Sequence, residues 1–388
     1  MHPPRLIRIV APVLIGALAL SACGSSSGSK ASGKKTYTIA YQGPLSGDNA
    51  QLGINMDNGV KLAIEQAQAK GDLGFNLKFV DSDDVGDPAQ SPAAAQKLID
   101  DASVVAVVGP AFSGATNAAE PHFSDANLIS VSPSATRADL TSNGFTSFVR
   151  VVTGDNIQGT KMADFVAKGL KSKTAYVVDD KSAYGAGLTK FVRDSLTTDG
   201  VTVKGEGLAP TKDYSAVATK AVASGADTVV YGGYYAEFAL LTKALRTAGF
   251  KGKIISGDGS KDDQYITQGG AATDGAYLTC PCGGPVATTP AAQNFEKDYK
   301  AKYNAATGTY SAEAFDATNL IIAAMKTLGT DVTRAKVTAA VKATKDFAGV
   351  THTITFNDKG EGGTGDIFVF QVKSGKIALL GKADELAK

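Results

Sequence analysis

Short apolar runs alternate with amphipathic stretches from Tyr37 onward. Runs rich in β-formers at Tyr37–Tyr41, Asn76–Val80, Val104–Val108, Leu128–Val131, Ala175–Val178, Thr228–Tyr231 and Lys253–Ser256 predict strands. Several are apolar at every position, as in strands covered on both faces. Between them the spacing is helical: Val60, Ala63, Ile64 and Ala67 share one face, and Phe238, Leu241, Leu245 and Ala248 share another, with Gly249 following as a helix stop. Strands alternating with helices predict βαβ units and parallel sheets. There are more strands than one such sheet usually holds, and the pattern restarts after Phe148–Val152. Two doubly wound α/β lobes are therefore expected. Helical patterns at Pro290–Tyr303, Ala312–Leu328 and Arg334–Thr344 precede two final strands, Thr351–Phe356 and Ile367–Val372, around a hairpin turn at Asn357–Gly365. No repeat of 20–50 residues relates the lobes, so their kinship is one of architecture.

Length agrees with this reading, since 388 residues exceed one compact core. The chain is 43% hydrophobic and 20% charged, a globular composition, and its net charge of +1 offers no electrostatic case for nucleic acid. Charge is unevenly placed, however. Residues 1–35 hold Arg5, Arg8, Lys30, Lys34 and Lys35 and no acid, which leaves the remainder at −4. Arg5 and Arg8 precede an apolar run, Ile9 to Leu20, of 12 residues. A spanning helix needs about 20, so the pattern is that of a secretory signal. Leu20-Ser21-Ala22-Cys23 resembles the lipobox of bacterial lipoproteins, which implies removal of residues 1–22 and a lipid on Cys23. The Gly/Ser/Lys stretch that completes residues 23–35 has nothing to bury and reads as a tether spanning roughly 20 Å.

Enzymatic motifs fail on inspection. Asp81-Ser82-Asp83-Asp84-Val85-Gly86 begins like a calcium loop, but Val85 and Pro92 fall where oxygen ligands belong. Asp87 as a helix N-cap with Pro88 in the first turn accounts for it better. Gly360–Gly365 lacks the strand-then-helix setting of a phosphate loop. Ser113 misses the nucleophile elbow because Ala111 replaces its first glycine. His122 and His352 each stand alone, without the context of a triad base. The pairs Asp83/Asp84, Asp179/Asp180 and Asp262/Asp263 read as solvated loop charge. Cys280 and Cys282 have no second Cys or His pair to make a zinc site. An oxidising compartment favours a disulfide between them, with a free pair and a metal or redox role left open. No metal and no cofactor is expected.

Hydroxyls at strand-to-helix junctions do stand out. In open α/β sheets ligands bind at the carboxyl ends of the strands. Gly109-Pro110-Ala111-Phe112-Ser113-Gly114 follows one strand and opens a helix, whose N–H groups with the Ser113 hydroxyl can hold an anion. Ser132-Pro133-Ser134-Ala135-Thr136 follows another. In the second half Tyr184, Tyr234 and Asp258 stand at equivalent strand ends. An anion site on one lobe facing a carboxylate and aromatics on the other suits a zwitterion.

These residues, together with Gly43-Pro44-Leu45-Ser46-Gly47, Tyr184-Gly185-Ala186-Gly187, Tyr231-Gly232-Gly233-Tyr234 and Ser256-Gly257-Asp258-Gly259, resemble the leucine/isoleucine/valine-binding family of solute-binding lipoproteins. The resemblance implies the type I periplasmic binding fold, with two doubly wound lobes joined by a multi-strand hinge: residues 36–153 plus 283–358, and 154–282 plus 359–388. It further implies that Ser113 and Thr136 hold a ligand carboxylate, Ser134 offers its carbonyl to the ammonium, and Asp258 pairs with that ammonium. Tyr184 and Tyr234 would close the cleft, and Leu52 would sit beside the ligand side chain. Cys280 and Cys282 fall near the crossover from the second lobe, where a disulfide would stiffen the hinge. The implied function is extracytoplasmic capture of an amino acid by a monomeric, membrane-anchored receptor that is not an enzyme, for delivery to an ABC permease and its ATPase. The alternative is a sensor of an amide or small carboxylate that signals through a membrane partner.

Overall fold

The computed structural model describes residues 34–283 and 289–388. The signal, Cys23 and the tether through Gly33 lie outside them. The first half of the chain runs β1 (Thr36–Gly43), α1 (Ala50–Lys70), β2 (Asn76–Asp83), α2 (Ser91–Asp100), β3 (Val104–Val108), α3 (Ser113–Asp125), β4 (Ile129–Ser132) and β5 (Phe148–Arg150). These strands form one parallel sheet in the order β2-β1-β3-β4-β5. The chain continues through α4 (Asp155–Asp164), β6 (Thr174–Asp179), α5 (Ala183–Thr198), β7 (Thr202–Gly207), α6 (Ser215–Ala223), β8 (Thr228–Gly232), α7 (Tyr235–Thr247), β9 (Lys253–Ser256), α8 (Asp263–Gly269) and β10 (Tyr277–Cys280). After these come α9 (Pro290–Tyr303), α10 (Ser311–Leu328), α11 (Arg334–Lys342), β11 (Phe347–Ala348), β12 (Thr353–Ile354), β13 (Phe368–Lys373), β14 (Lys376–Lys382) and α12 (Ala383–Leu386). The second sheet runs β14-β13-β10-β9-β8-β6-β7, with β13 and β14 antiparallel to their neighbours and the rest parallel.

Alternation along the strands decides which helices cover which face. In the first sheet Ile39, Tyr41 and Val108 face α1 and α10, whereas Ala40, Val104 and Val107 face α2 and α3 through Ala95, Leu98 and Phe123. In the second, Tyr176, Val178, Val229 and Ile254 pack with the α6 and α7 residues Val217, Phe238 and Leu241, while Ala175, Val177, Val230 and Ile255 meet Leu188, Val192 and Leu196 of α5. The α9–α11 segment returns to the first sheet. Phe295 and Tyr299 pack on Leu62 and Ala63 of α1, and α11 lies on β3 and β4.

Two local expectations are corrected. Asp87 does not cap a helix: its carboxylate accepts the Ala89 N–H (2.9 Å) in a turn, and α2 starts at Ser91 with Pro92 in its first turn. The Ser91 hydroxyl accepts from the buried Gln42 amide (2.8 Å) and donates to Asp84 (3.2 Å), which ties the start of the helix to β1. The final hairpin is also different. Within Thr351–Phe356 only β12 is strand, and it pairs with β11; β13 pairs with β10 and with β14. The β13–β14 turn is the two residues Ser374 (φ +51°) and Gly375 (φ +74°), the left-handed pair that a tight antiparallel hairpin requires. The glycine-rich Gly360–Gly365 stretch instead runs against the end of β5. Gly360 accepts the Arg150 N–H (3.0 Å), Gly362 donates to the Arg150 carbonyl (2.9 Å), and a Cβ at Gly363 would fall 2.4 Å from the Thr153 nitrogen. Glycine is needed there so that two chain crossings can touch. Cys280, which ends β10, forms a disulfide with Cys282, and both are buried.

Asp180, at the end of β6, shows what burial costs at such a junction. Its carboxylate accepts the Ser182 N–H (2.8 Å), yet burial pushes its pKa up to about 6, with Glu237 and Asp179 adding to the rise. The folded chain therefore binds this proton more tightly than the unfolded chain, and its stability falls as pH climbs from about 4 to about 6. Asp180→Asn keeps the acceptor and removes the charge. It should raise stability by up to about 3 kcal/mol above pH 6, a gain that vanishes near pH 4. Thermal unfolding of both proteins across pH 4–8 checks this; a pH-independent difference would contradict it.

Candidate functional site

The carboxyl ends of the parallel strands of both sheets meet across one cleft. Leu52 and Met56 of α1, Ala111, Phe112, Ser113 and Ser134 line it from the first lobe; Tyr184, Tyr234, Asp258 and Gly259 line it from the second. Tyr310, at the head of α10, completes the lining. The space between these side chains is narrow and partly open to solvent. The lobes are in direct contact around it. Phe112 stacks on Tyr234 with ring centroids 4.2 Å apart, and Asn55 donates to Asp262 (2.9 Å). The Gln51 N–H donates to the Tyr235 hydroxyl (3.2 Å), and Lys212 pairs with Asp48 (2.7 Å). The cleft is closed.

On the first lobe the loops after β3 and β4 brace each other. The Ser134 hydroxyl donates to the Ala111 carbonyl (2.7 Å), and the Ser132 hydroxyl donates to that of Pro110 (2.9 Å). The Ser134 side chain is thus committed to the protein. Ser113 opens α3 and its hydroxyl oxygen accepts the Arg137 N–H (3.2 Å), so its proton remains to donate. The unpaired N–H groups of the first turn of α3 add positive potential at the same point. Thr136 is not a lining residue. It is fully buried in the same loop, with its hydroxyl beside the Asp155 carboxyl.

On the second lobe the electrostatics reverse. Asp258 follows β9 and is 3% exposed. One carboxylate oxygen accepts from the Tyr184 hydroxyl (2.8 Å), which in turn accepts the Gly259 N–H (3.0 Å). The other accepts from the Tyr310 hydroxyl (2.7 Å). Burial raises the Asp258 pKa and the two phenols oppose the rise. Asp155, the first residue of α4, is fully buried, with the Thr136 hydroxyl beside its carboxyl. Burial first and the neighbouring Asp258 second push its carboxyl well above the usual range. Two buried carboxylates favour a cationic group beside them.

Six of the seven ligand residues expected from sequence therefore converge: Leu52, Ser113, Ser134, Tyr184, Tyr234 and Asp258. Met56, Phe112, Tyr310 and Asp155 are additions. Phe112 stands beside Ser113 at the strand end and was open to the same strand-end rule. Tyr310 carried no such sign. It adopts φ +66°, a strained conformation for a side-chain-bearing residue, and its phenol reaches across to the second lobe. Among the described residues no group of three or more His, Cys, Asp or Glu is placed to hold a metal.

The profile of the periplasmic binding protein family matches residues 36–376. Leu/Ile/Val-binding protein homolog 3 of Brucella melitensis is 30% identical over 343 residues, covering 88% of this chain and 92% of that protein. The leucine-, isoleucine-, valine-, threonine- and alanine-binding protein of Pseudomonas aeruginosa is 31% identical over 348 residues, 87% of this chain and 90% of that one. The branched-chain amino acid transporter substrate binding protein LivJ of Streptococcus pneumoniae, solved in complex with isoleucine, has a TM-score of 0.83 at 28% identity, covering 89% of this chain and 100% of that one. With the two-lobed fold, the closed cleft and these matches in hand, the chain belongs to the Leu/Ile/Val-binding family of periplasmic binding proteins.

Proposed function

We propose that this protein captures a branched-chain amino acid between its lobes and presents it to an ABC permease. The observation that carries the reading is the buried Asp258 carboxylate, fixed by phenols from both sides of the cleft and opposed by the Ser113 hydroxyl at the head of α3. An ammonium belongs at Asp258 and the Ser134 carbonyl, and a carboxylate at Ser113 and the N–H groups that open α3, with Thr136, buried behind the cleft wall, supporting them. An aliphatic side chain fits against Leu52, Met56 and Phe112. Such a ligand touches both lobes at once, so it stabilises the closed form over the open one, and the closed form is what a permease reads. The family is one of solute-binding receptors and is extracytoplasmic. Among the described residues no helix is long and apolar enough to cross a membrane. The lipobox-like Leu20-Ser21-Ala22-Cys23 supports anchoring through lipid on Cys23.

L-Leucine, L-isoleucine and L-valine should each raise the melting temperature, because ligand at 100 times its dissociation constant stabilises by about 2.7 kcal/mol. Asp258→Ala should weaken L-leucine binding by about 1.5–3 kcal/mol, on the order of 10- to 100-fold by titration calorimetry. Unchanged affinity would remove Asp258 from the site. Separately, Cys23→Ser should shift the protein from the membrane to the soluble fraction with L-leucine affinity intact; a variant still found in membranes would refute the anchor.

A further inference from the structure

Among the described residues Arg150 is the largest fully buried side chain, at 1% exposure. It stands at the end of β5, where the chain leaves the first lobe, and none of the roles assigned above uses it. Its guanidinium makes a two-point contact with Glu361, Nε to one oxygen (2.7 Å) and Nη2 to the other (2.5 Å). Nη1 donates to two main-chain carbonyls, Ala135 (3.1 Å) and Arg137 (2.8 Å). Those carbonyls flank Thr136. The Thr136 carbonyl accepts the Asp155 N–H (2.7 Å), from just beyond the same crossing. Glu361 is equally constrained: its backbone neighbours pair with Arg150, and its carboxylate also accepts from the Thr141 hydroxyl (2.6 Å). Glu361 lies in the later crossing back to the second lobe, 211 residues away in sequence.

A buried ion pair is a poor device for stability alone, because desolvation offsets most of the attraction and an apolar pair of similar volume does as well. Its value lies in fixing geometry, and here every bond of the guanidinium ends on the Thr136 loop or on the later crossing. We propose that Arg150 and Glu361 are positioning residues for ligand binding: the ion pair of the buried Arg150 with the half-buried Glu361, seated where two interlobe crossings touch, grips the carbonyls on both sides of Thr136 and so sets the loop that presents Ser134, Thr136 and, through the Arg137 N–H, Ser113. The seat of the ligand and the hinge then form one unit, and the loop keeps its shape as the lobes move. The proposal rests on the reading of Thr136 and Ser113 as ligand residues.

Amide hydrogen exchange on the full chain without ligand tests the tie directly. Glu361→Gln should speed exchange in peptides covering residues 134–137 at least 10-fold, while β8, residues 228–232, stays at the wild-type rate. Glu361→Asp, a milder change that keeps the charge, should give an intermediate effect and serves if the glutamine variant does not fold. Wild-type exchange at 134–137 in a folded variant, or an equal rise in β8, overturns the proposal. A second measurement reads function, with L-leucine as the probe. Glu361→Gln alone should weaken binding about 10-fold yet add nothing in a Thr136→Val background, the non-additivity expected of residues acting through one another. Additive losses overturn the proposal. Thr136→Val without effect would instead refute Thr136 as a ligand residue, and the exchange result would then decide the tie alone.

Discussion

A carboxylate buried between two lobes is the constraint to which the rest of this structure answers. Asp258 sits in a closed cleft where a bare charge is costly, and it is made tolerable by two phenols: Tyr184 from its own lobe and Tyr310 from the helix that packs on the other. The Tyr310 bond runs from one lobe to the other. Closure and the solvation of Asp258 are therefore coupled, and a cation entering the cleft joins an arrangement already shaped for positive charge. Asp155, which burial and Asp258 hold toward its neutral form, is a second acid on that side for a cation to meet.

The opposite wall follows from ordinary α/β geometry. Parallel strands put their carboxyl ends, and the helix N-termini that follow, along one edge of each sheet. Ser113 and the Ser132–Thr136 loop occupy that edge in the first lobe, Tyr184, Tyr234 and Asp258 in the second. Facing the two edges together opposes donor-rich and acceptor-rich walls a few ångströms apart. The Phe112–Tyr234 stack gives the intervening space its apolar side. Because the chain crosses between lobes more than once, the relative motion is confined to opening and closing rather than free reorientation.

Much of this was legible in the sequence where local pattern suffices. The fully apolar run Val104–Val108 coincides with β3 to the residue, because a strand buried on both faces leaves no polar ambiguity, and Lys253–Ser256 coincides with β9 although polar residues stand at both its ends. Thr202–Gly207 went unread since β7 is an edge strand with polar, partly exposed residues. The misread hairpin has a different cause. Its two segments are adjacent in sequence, but β13 finds its partner β10 some ninety residues upstream, a choice set by tertiary pairing. The site divides the same way. Strand-end position marks Ser113, Tyr184, Tyr234 and Asp258, whereas Tyr310 reaches the cleft through an unusual backbone conformation and Arg150 acts through a residue far along the chain.

The central claim is that the cleft recognises an amino acid by both of its charges, with the ammonium at Asp258. Calorimetric titration of the wild-type protein with L-leucine and with 4-methylpentanoate, the same skeleton lacking the amine, tests it most directly. The account predicts that L-leucine binds at least about 10-fold more tightly, the scale of a charged hydrogen bond. Equal or tighter binding of 4-methylpentanoate would contradict it and mark the cleft as a site for simple carboxylates.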